Sequence, residues 1–178
     1  MRAHVAIHLE QWFLDYVRSF INGNAESEVL RMKRDHSQRV AEDMTGIARD
    51  LGLAEDDVHT ARILGWLHDV GRFHQYAQYR TLRDDQSVNH GQVGLQVLDS
   101  AQVLLVCEPA DRELIRMGTG CHNRRTVPPG MAAVMPTIRS LSLASLTMVS
   151  EKTCVYVGGP SPLSLDLPVS RSNGPTPW

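Results

Sequence analysis

Apolar residues recur at helical spacing along most of the first 130 residues. Leu9, Phe13, Val17 and Phe20 lie three or four apart and predict a helix over residues 7–22, with Asn22-Gly23-Asn24 as its stop. A short helix is expected at residues 26–33. His36, Val40, Met44, Ile47 and Leu51 mark one face of the next, and Gly52 ends it as a C-terminal cap. LAEDDVHTARILGWLHDVG, residues 53–71, predicts a further helix, whose acidic first turn (Glu55, Asp56, Asp57) suits the positive end of the helix dipole. Residues 74–86 are polar and aromatic and read as a loop. SVNHGQVGLQVLDSA and EPADRELIRMGTGCHN are two more helical segments, the second weakened by Gly118 and Gly120. The pattern over residues 1–130 is a succession of helical segments.

After RRTVPPG the pattern breaks. Residues 131–178 hold six of the nine prolines, eight serines and only five charged residues (Arg139, Glu151, Lys152, Asp166, Arg171). LSLASLTMVS suits either a helix or a strand, KTCVYVGG is strand-like up to its glycines, and SRSNGPTPW reads as disordered. This is an irregular, serine- and proline-rich tail, and no internal repeat connects it to what precedes.

Composition narrows the class without naming it. The 178 residues are 42 % apolar and 21 % charged, with a formal net charge of −2. That is an ordinary soluble composition, long enough for one buried core. Residues 1–130 carry 15 Lys and Arg against 18 Asp and Glu with no basic stripe, so no nucleic-acid partner is expected. Three cysteines, Cys107, Cys121 and Cys154, make no CxxC pair and fit a reducing cytoplasm. No stretch resembles a signal peptide or approaches the roughly 20 apolar residues of a membrane span, so no membrane partner is expected either.

The chemistry lies in the histidines. Of eight, His36, His68, His90 and His122 fall on the apolar side of a predicted helix, and Asp69 adjoins one of them. Imidazoles presented to a common interior beside a carboxylate suit a divalent-metal site. A lone histidine near an apolar face is more often a hydrogen-bonded core residue, and His4, His8, His59 and His74 are read as surface or structural. For Asp69 the plain alternative is a cap on the next turn. No phosphate-cradling P-loop, GxGxxG or GxSxG occurs, so serine catalysis has no support.

The order DHSQRV…LHDVGR…NHGQVG…CHNRRTVPPG resembles the HD superfamily of metal-dependent phosphohydrolases, in particular its small bacterial members, from about Met32 to Gly130. The resemblance implies an all-α HD-domain helical bundle around a metal centre. It makes His36, His68 and Asp69 three of four usual ligands. His90 and His122 match positions that help to bind a second ion, with Asp69 bridging. One or two divalent ions per chain follow, with Mn, Mg, Fe, Co, Ni and Zn all open. The implied activity is phosphomonoester or phosphodiester hydrolysis by metal-activated water on a small, nucleotide-like phosphate, with Asp69 able to orient the nucleophile. Arg72 and Arg124 are the candidate phosphate contacts, because transferring phosphorus carries negative charge. Tyr76 and Tyr79 suit either contact with a base or simple loop packing.

One expected ligand has no match. The family's fourth, an aspartate in a charged-apolar stretch, belongs some tens of residues after HNRR, yet the one aspartate beyond residue 130 is Asp166, in PLSLDLPVS. The alternative reading is therefore a degenerate HD domain that binds metal or nucleotide without turnover. A bundle without its closing helix exposes apolar faces, which favours aggregation or a homodimer. One explanation of the change of composition is a frame shift near Gly130, a hypothesis motivated by the break itself. Translating the other two frames of the coding DNA checks it: an aspartate-bearing amphipathic helix is expected in one, and its absence from both overturns the explanation.

Overall fold

A computed structural model of the chain describes residues 1–21 and 27–123. Six α-helices make up these residues: α1 (Ala3–Arg18), α2 (Ser27–Asp50), α3 (Glu55–Leu67), α4 (Gly71–Tyr79), α5 (His90–Ala101) and α6 (Pro109–Cys121). Single 3-10 turns at Asp84–Gln86 and Val103–Val106 flank α5. Among the described residues there is no strand, and the fold is the all-α bundle expected. No helix of these residues is long and apolar enough to cross a membrane. The expectations for the serine- and proline-rich tail lie outside the described residues.

Where the observed elements differ from the pattern in the sequence, the cause is burial. The helices expected at 26–33 and from His36 onward are one helix, α2. Its buried stripe runs Leu30, Ser37, Ala41, Met44, Ala48, and the charged Arg34-Asp35 pair that interrupts the apolar pattern turns outward, the arginine clasping the aspartate at 2.6 and 2.8 Å. Gly52, at φ 69°, ends α2 in the left-handed conformation, with Leu53 N–H donating to Ala48 O and Gly52 N–H to Arg49 O. Residues 74–79, expected in a loop, belong to α4. Gln75 is fully buried there, and its amide nitrogen donates to Asp84, Ser87 and the Val88 carbonyl. A buried polar side chain with its hydrogen bonds satisfied is tolerated, and a polar reading of the segment misses this. The first helix begins at Ala3 rather than residue 7.

The helix expected through residues 53–71 stops at Leu67, and the HD pair lies just beyond its end. Val70 N–H bonds to Leu67 O and Arg72 N–H to Asp69 O, three residues back instead of four, so the chain turns at 68–70 and restarts as α4. Gly118 and Gly120 do not break α6. A Cβ on Gly118 would stand 2.5 Å from Leu64 Cδ2 and one on Gly120 2.8 Å from Leu95 Cδ1. Their missing side chains let α6 close on α3 and α5.

The core is centred on α3, which packs most extensively on α2 and also meets α1 and α6, and it takes in Phe73 of α4 and Leu98 of α5. Phe13 of α1 meets Trp66 at 5.4 Å and Phe73 edge-on at 5.7 Å. Such pairs contribute roughly 0.5–1.5 kcal/mol each beyond the area they bury. Here they also fix both helices that flank the turn at 68–70.

Two glycines bracket that turn, each at a close backbone approach. A Cβ on Gly65 would lie 2.4 Å from Ala41 Cα, and one on Gly71 would lie 2.1 Å from the His90 carbonyl oxygen. The first contact brings α3 onto α2 and the second brings the start of α4 onto the start of α5. Neither obstacle is a flexible side-chain tip, so an added methyl must push helices apart. Gly65→Ala and Gly71→Ala are each expected to destabilise the fold by about 2 kcal/mol. Urea unfolding monitored by tryptophan fluorescence measures this, and an unchanged midpoint would show that the helices have slack at these contacts.

Candidate metal centre

Four segments bring histidines to the turn at 68–70. His36 comes from the middle of α2, His68 caps the C-terminal end of α3, His90 opens α5 and His122 caps α6. Asn89 caps α5, its side chain accepting from Gln92 N–H at 3.1 Å, and this local device sets where His90 leaves the backbone. All four imidazoles and Asp69 are buried, His68 at 1 % and Asp69 at 3 % exposure.

The Asp69 carboxylate divides them into two groups. Oδ2 lies 3.7 Å from His36 Nε2 and 3.7 Å from His68 Nε2, which are 3.3 Å from each other. Oδ1 lies 3.3 Å from His90 Nε2 and 3.3 Å from His122 Nε2, themselves 2.8 Å apart. Within each triad the potential ligand atoms all fall within 4.8 Å of one another. Ligand atoms about 2.1 Å from a shared ion stand roughly 3.0–3.4 Å apart in octahedral or tetrahedral arrangements. Both triads are close to that spacing and share Asp69.

The outer nitrogens explain why the inner ones converge. His68 Nδ1 faces Gly65 O at 2.7 Å and His122 Nδ1 faces Thr119 O at 2.9 Å. A carbonyl oxygen only accepts, so in each ring Nδ1 carries the proton, and in the neutral ring Nε2 presents a lone pair inward. His90 Nδ1 lies 2.7 and 2.8 Å from the two oxygens of Asp84, which fixes the same tautomer. The Nε2 atoms of His90 and His122, turned inward this way, stand 2.8 Å apart, a spacing that suits a shared cation. The donor chemistry of both triads therefore fits a divalent metal.

Electrostatics point the same way. Burial lowers the His36 pKa to about 4 and that of His68 to about 3, against a smaller opposing pull from Asp69, so both are neutral near pH 7. Burial pushes the Asp69 carboxyl upward, but the Lys33 ammonium first, with the imidazoles around it, holds it well below the usual range. Burial also works against ionised Asp84, which is nevertheless held low by the Gln75 amide, His90 and Arg72. The centre sets an ionised carboxylate beside the neutral imidazoles of His36 and His68.

Of the other residues singled out from the sequence, His4, His8 and His74 are exposed, and His59 is half-buried with Nδ1 3.2 Å from Met1 O. Arg72 adjoins the centre, Nε standing 3.5 Å from Asp69 Oδ1, but its Nη1 is bound to Asp84 at 2.8 Å, to Gln75 at 3.0 Å and to the Leu82 carbonyl. Tyr76 packs against the core and Tyr79 is exposed, both on α4. Arg124 and Asp166 lie outside the described residues. The sequence reading missed Lys33, whose Nζ is 3.1 Å from Asp69 Oδ2, together with Asp84, Gln75 and Asn123, whose amide donates to Asp84 at 3.2 Å. Two signals were present: Lys33 is one helical turn before His36, and a histidine with one inward nitrogen needs an acceptor for the other.

Residues 34–141 match the HD domain family. The chain belongs to this family. HD domains form a superfamily of metal-dependent phosphohydrolases that bind divalent metals, and the two triads of this HD domain comprise the histidines and the aspartate that could hold them. No curated protein and no solved structure matches the chain.

The depressed pKa values set a pH window for the metal-free HD domain. Unfolded His36 and His68 take up protons below about pH 6.5, while the folded protein resists until about 4 and 3. The unfolded state therefore binds more protons throughout that interval, and stability is complete above pH 6.5 and falls as the pH drops. Asp69 adds a loss below its unfolded value, near pH 4. Melting temperature in the presence of chelator is expected to fall steadily from pH 7 to pH 4. A flat profile over that interval would show that the two imidazoles are already protonated in the native state.

Proposed function

We propose that this HD domain is a phosphomonoesterase or phosphodiesterase acting on a nucleotide or another small phosphate ester. His36, His68 and Asp69 are its ligands for one divalent ion, and Asp69, His90 and His122 its ligands for a second. The observation that carries the reading is the position of Asp69, with one oxygen in each triad and three of the four imidazoles held in the metal-ready tautomer by outer partners. Ions in these places supply Lewis acidity, acidifying water and polarising a phosphoryl oxygen.

The protein's own part is orientation. Gly65 O and Thr119 O, each three residues before the histidine it receives, keep His68 and His122 from rotating. Asp84 does the same for His90 and is itself fixed by Arg72, Gln75 and Asn123. Arg72 thereby acts as a positioning residue for the carboxylate side of the centre. Asp69 orients the attacking water, and the near-complete burial of the ligands limits competing water. Arg124 is the remaining candidate for a direct phosphate contact.

Metal content of the purified full-length protein, measured by plasma mass spectrometry beside a His68→Ala, Asp69→Ala double variant, tests the reading. One or two equivalents are expected in the wild type and none above background in the variant. Hydrolysis of p-nitrophenyl phosphate and its bis-ester with Mn, Mg, Co or Ni then separates monoesterase from diesterase. A second reading, an HD domain that binds without turnover, is favoured by the lack of any stretch after residue 130 resembling that of the usual fourth aspartate. Metal uptake with no hydrolysis of either ester would select it.

Asp84→Asn isolates the outer contact of His90. Removing such an orienting carboxylate typically costs about 10–100-fold in metal affinity, and the loss is expected in the second equivalent bound, with the first unaffected. Calorimetric titration with Mn separates the two. An equal loss in both equivalents would mean that Asp84 supports the fold rather than His90.

A further inference from the structure

Of the two cations within 4 Å of the Asp69 carboxylate, Lys33 and Arg72, Lys33 is the less committed. Its ammonium lies 3.1 Å from Asp69 Oδ2, and Asp69 is its one recorded partner among the described residues. Arg72, by contrast, is tied to Asp84, Gln75 and the Leu82 carbonyl. Lys33 also differs in access. Its side chain is 17 % exposed beside a carboxylate that is 5 % exposed, so the ammonium reaches both the buried oxygen and the solvent.

Oδ2 is the same oxygen that belongs to the His36–His68–Asp69 triad, 3.7 Å from each imidazole nitrogen. A dication among those three atoms and an ammonium 3.1 Å from Oδ2 are like charges a few ångströms apart with little water between them. Both cannot hold that carboxylate at full strength. The lysine stem is flexible, and its backbone lies one turn from His36, so a displaced ammonium stays beside the centre. There it offers three N–H donors and a full charge to an anion drawn to the same ions.

We propose that Lys33 is the anion-binding cation of this centre and that its pairing with Asp69 competes with ion binding at the His36–His68–Asp69 triad. The inference rests on reading the centre as a metal site for phosphate esters, and it adds the group that receives the phosphate. A lysine that only braces the fold differs in a measurable sign. Removing a brace weakens metal and anion binding together, whereas removing a competitor for Asp69 tightens the metal and weakens the anion.

The test titrates Mn into chelator-treated full-length protein by calorimetry, then inorganic phosphate into the Mn-loaded protein, for wild type, Lys33→Met and Lys33→Arg. Lys33→Met is expected to bind its first Mn about tenfold more tightly and phosphate about tenfold more weakly. Lys33→Arg, which keeps the charge, is expected to return both values towards wild type. Lys33→Gln gives the same comparison if the methionine variant folds poorly, with far-ultraviolet circular dichroism as the check. Weaker Mn binding in the neutral variants, or unchanged phosphate binding, overturns the proposal. A wild type that takes up no Mn overturns the metal reading itself and this inference with it, while Mn uptake with no response to Lys33 overturns this inference alone.

Discussion

An ionised carboxylate almost sealed from water is the constraint on which this structure turns. Asp69 is 3 % exposed, and leaving such a charge uncompensated costs several kcal/mol. The fold answers with Lys33 on one oxygen, Arg72 at 3.5 Å from the other, and four imidazole nitrogens around both. Those imidazoles are themselves buried and have to be oriented, which brings in Gly65 O, Thr119 O and Asp84. One charge thus organises contacts reaching from α2 to the end of α6. A carboxylate placed at this cost, with its neighbours turned to offer lone pairs, makes sense around a metal and is hard to justify as packing alone.

The close approaches of the backbone are the other half of the arrangement. The turn at 68–70 brings histidine and aspartate to one point only because Gly65 lets α3 lie against α2 and Gly71 lets α4 meet α5. The aromatic contacts of Phe13 with Trp66 and Phe73 hold the two helices on either side of that turn from behind. Packing and chemistry therefore use one short stretch, in which Trp66 and Phe73 face α1 while His68 and Asp69 face the other histidines.

Much of this was legible in the sequence, and the reasons for the rest are specific. Apolar spacing marked the helices because Leu9, Phe13 and Val17, or Val40, Met44 and Ile47, face the interior at regular intervals. The five residues of the centre were found through the order of their motifs. Spacing alone does not reveal that His68 and His122 cap their helices or that the two triads share one carboxylate. Gln75 was hidden because its burial depends on acceptors nine to thirteen residues away. Lys33 was hidden because a charged residue in a helix usually marks the solvent side, and its partner is 36 positions distant. Gly118 and Gly120 looked like weak points because propensity carries no information about Leu64 and Leu95, which fill the space their side chains leave.

The side chains of the candidate centre come from α2, the α3–α4 turn, α5 and α6, four segments distant in the sequence. An ion at the Asp69–His90–His122 triad would be a removable cross-link. Its binding energy adds to the docking of α5 and α6 on the rest of the chain, by an amount that grows with the logarithm of free ion concentration. How firmly those last two helices are held, and how fast their amide hydrogens exchange with solvent, thereby becomes a property of the surrounding medium as well as of the polypeptide.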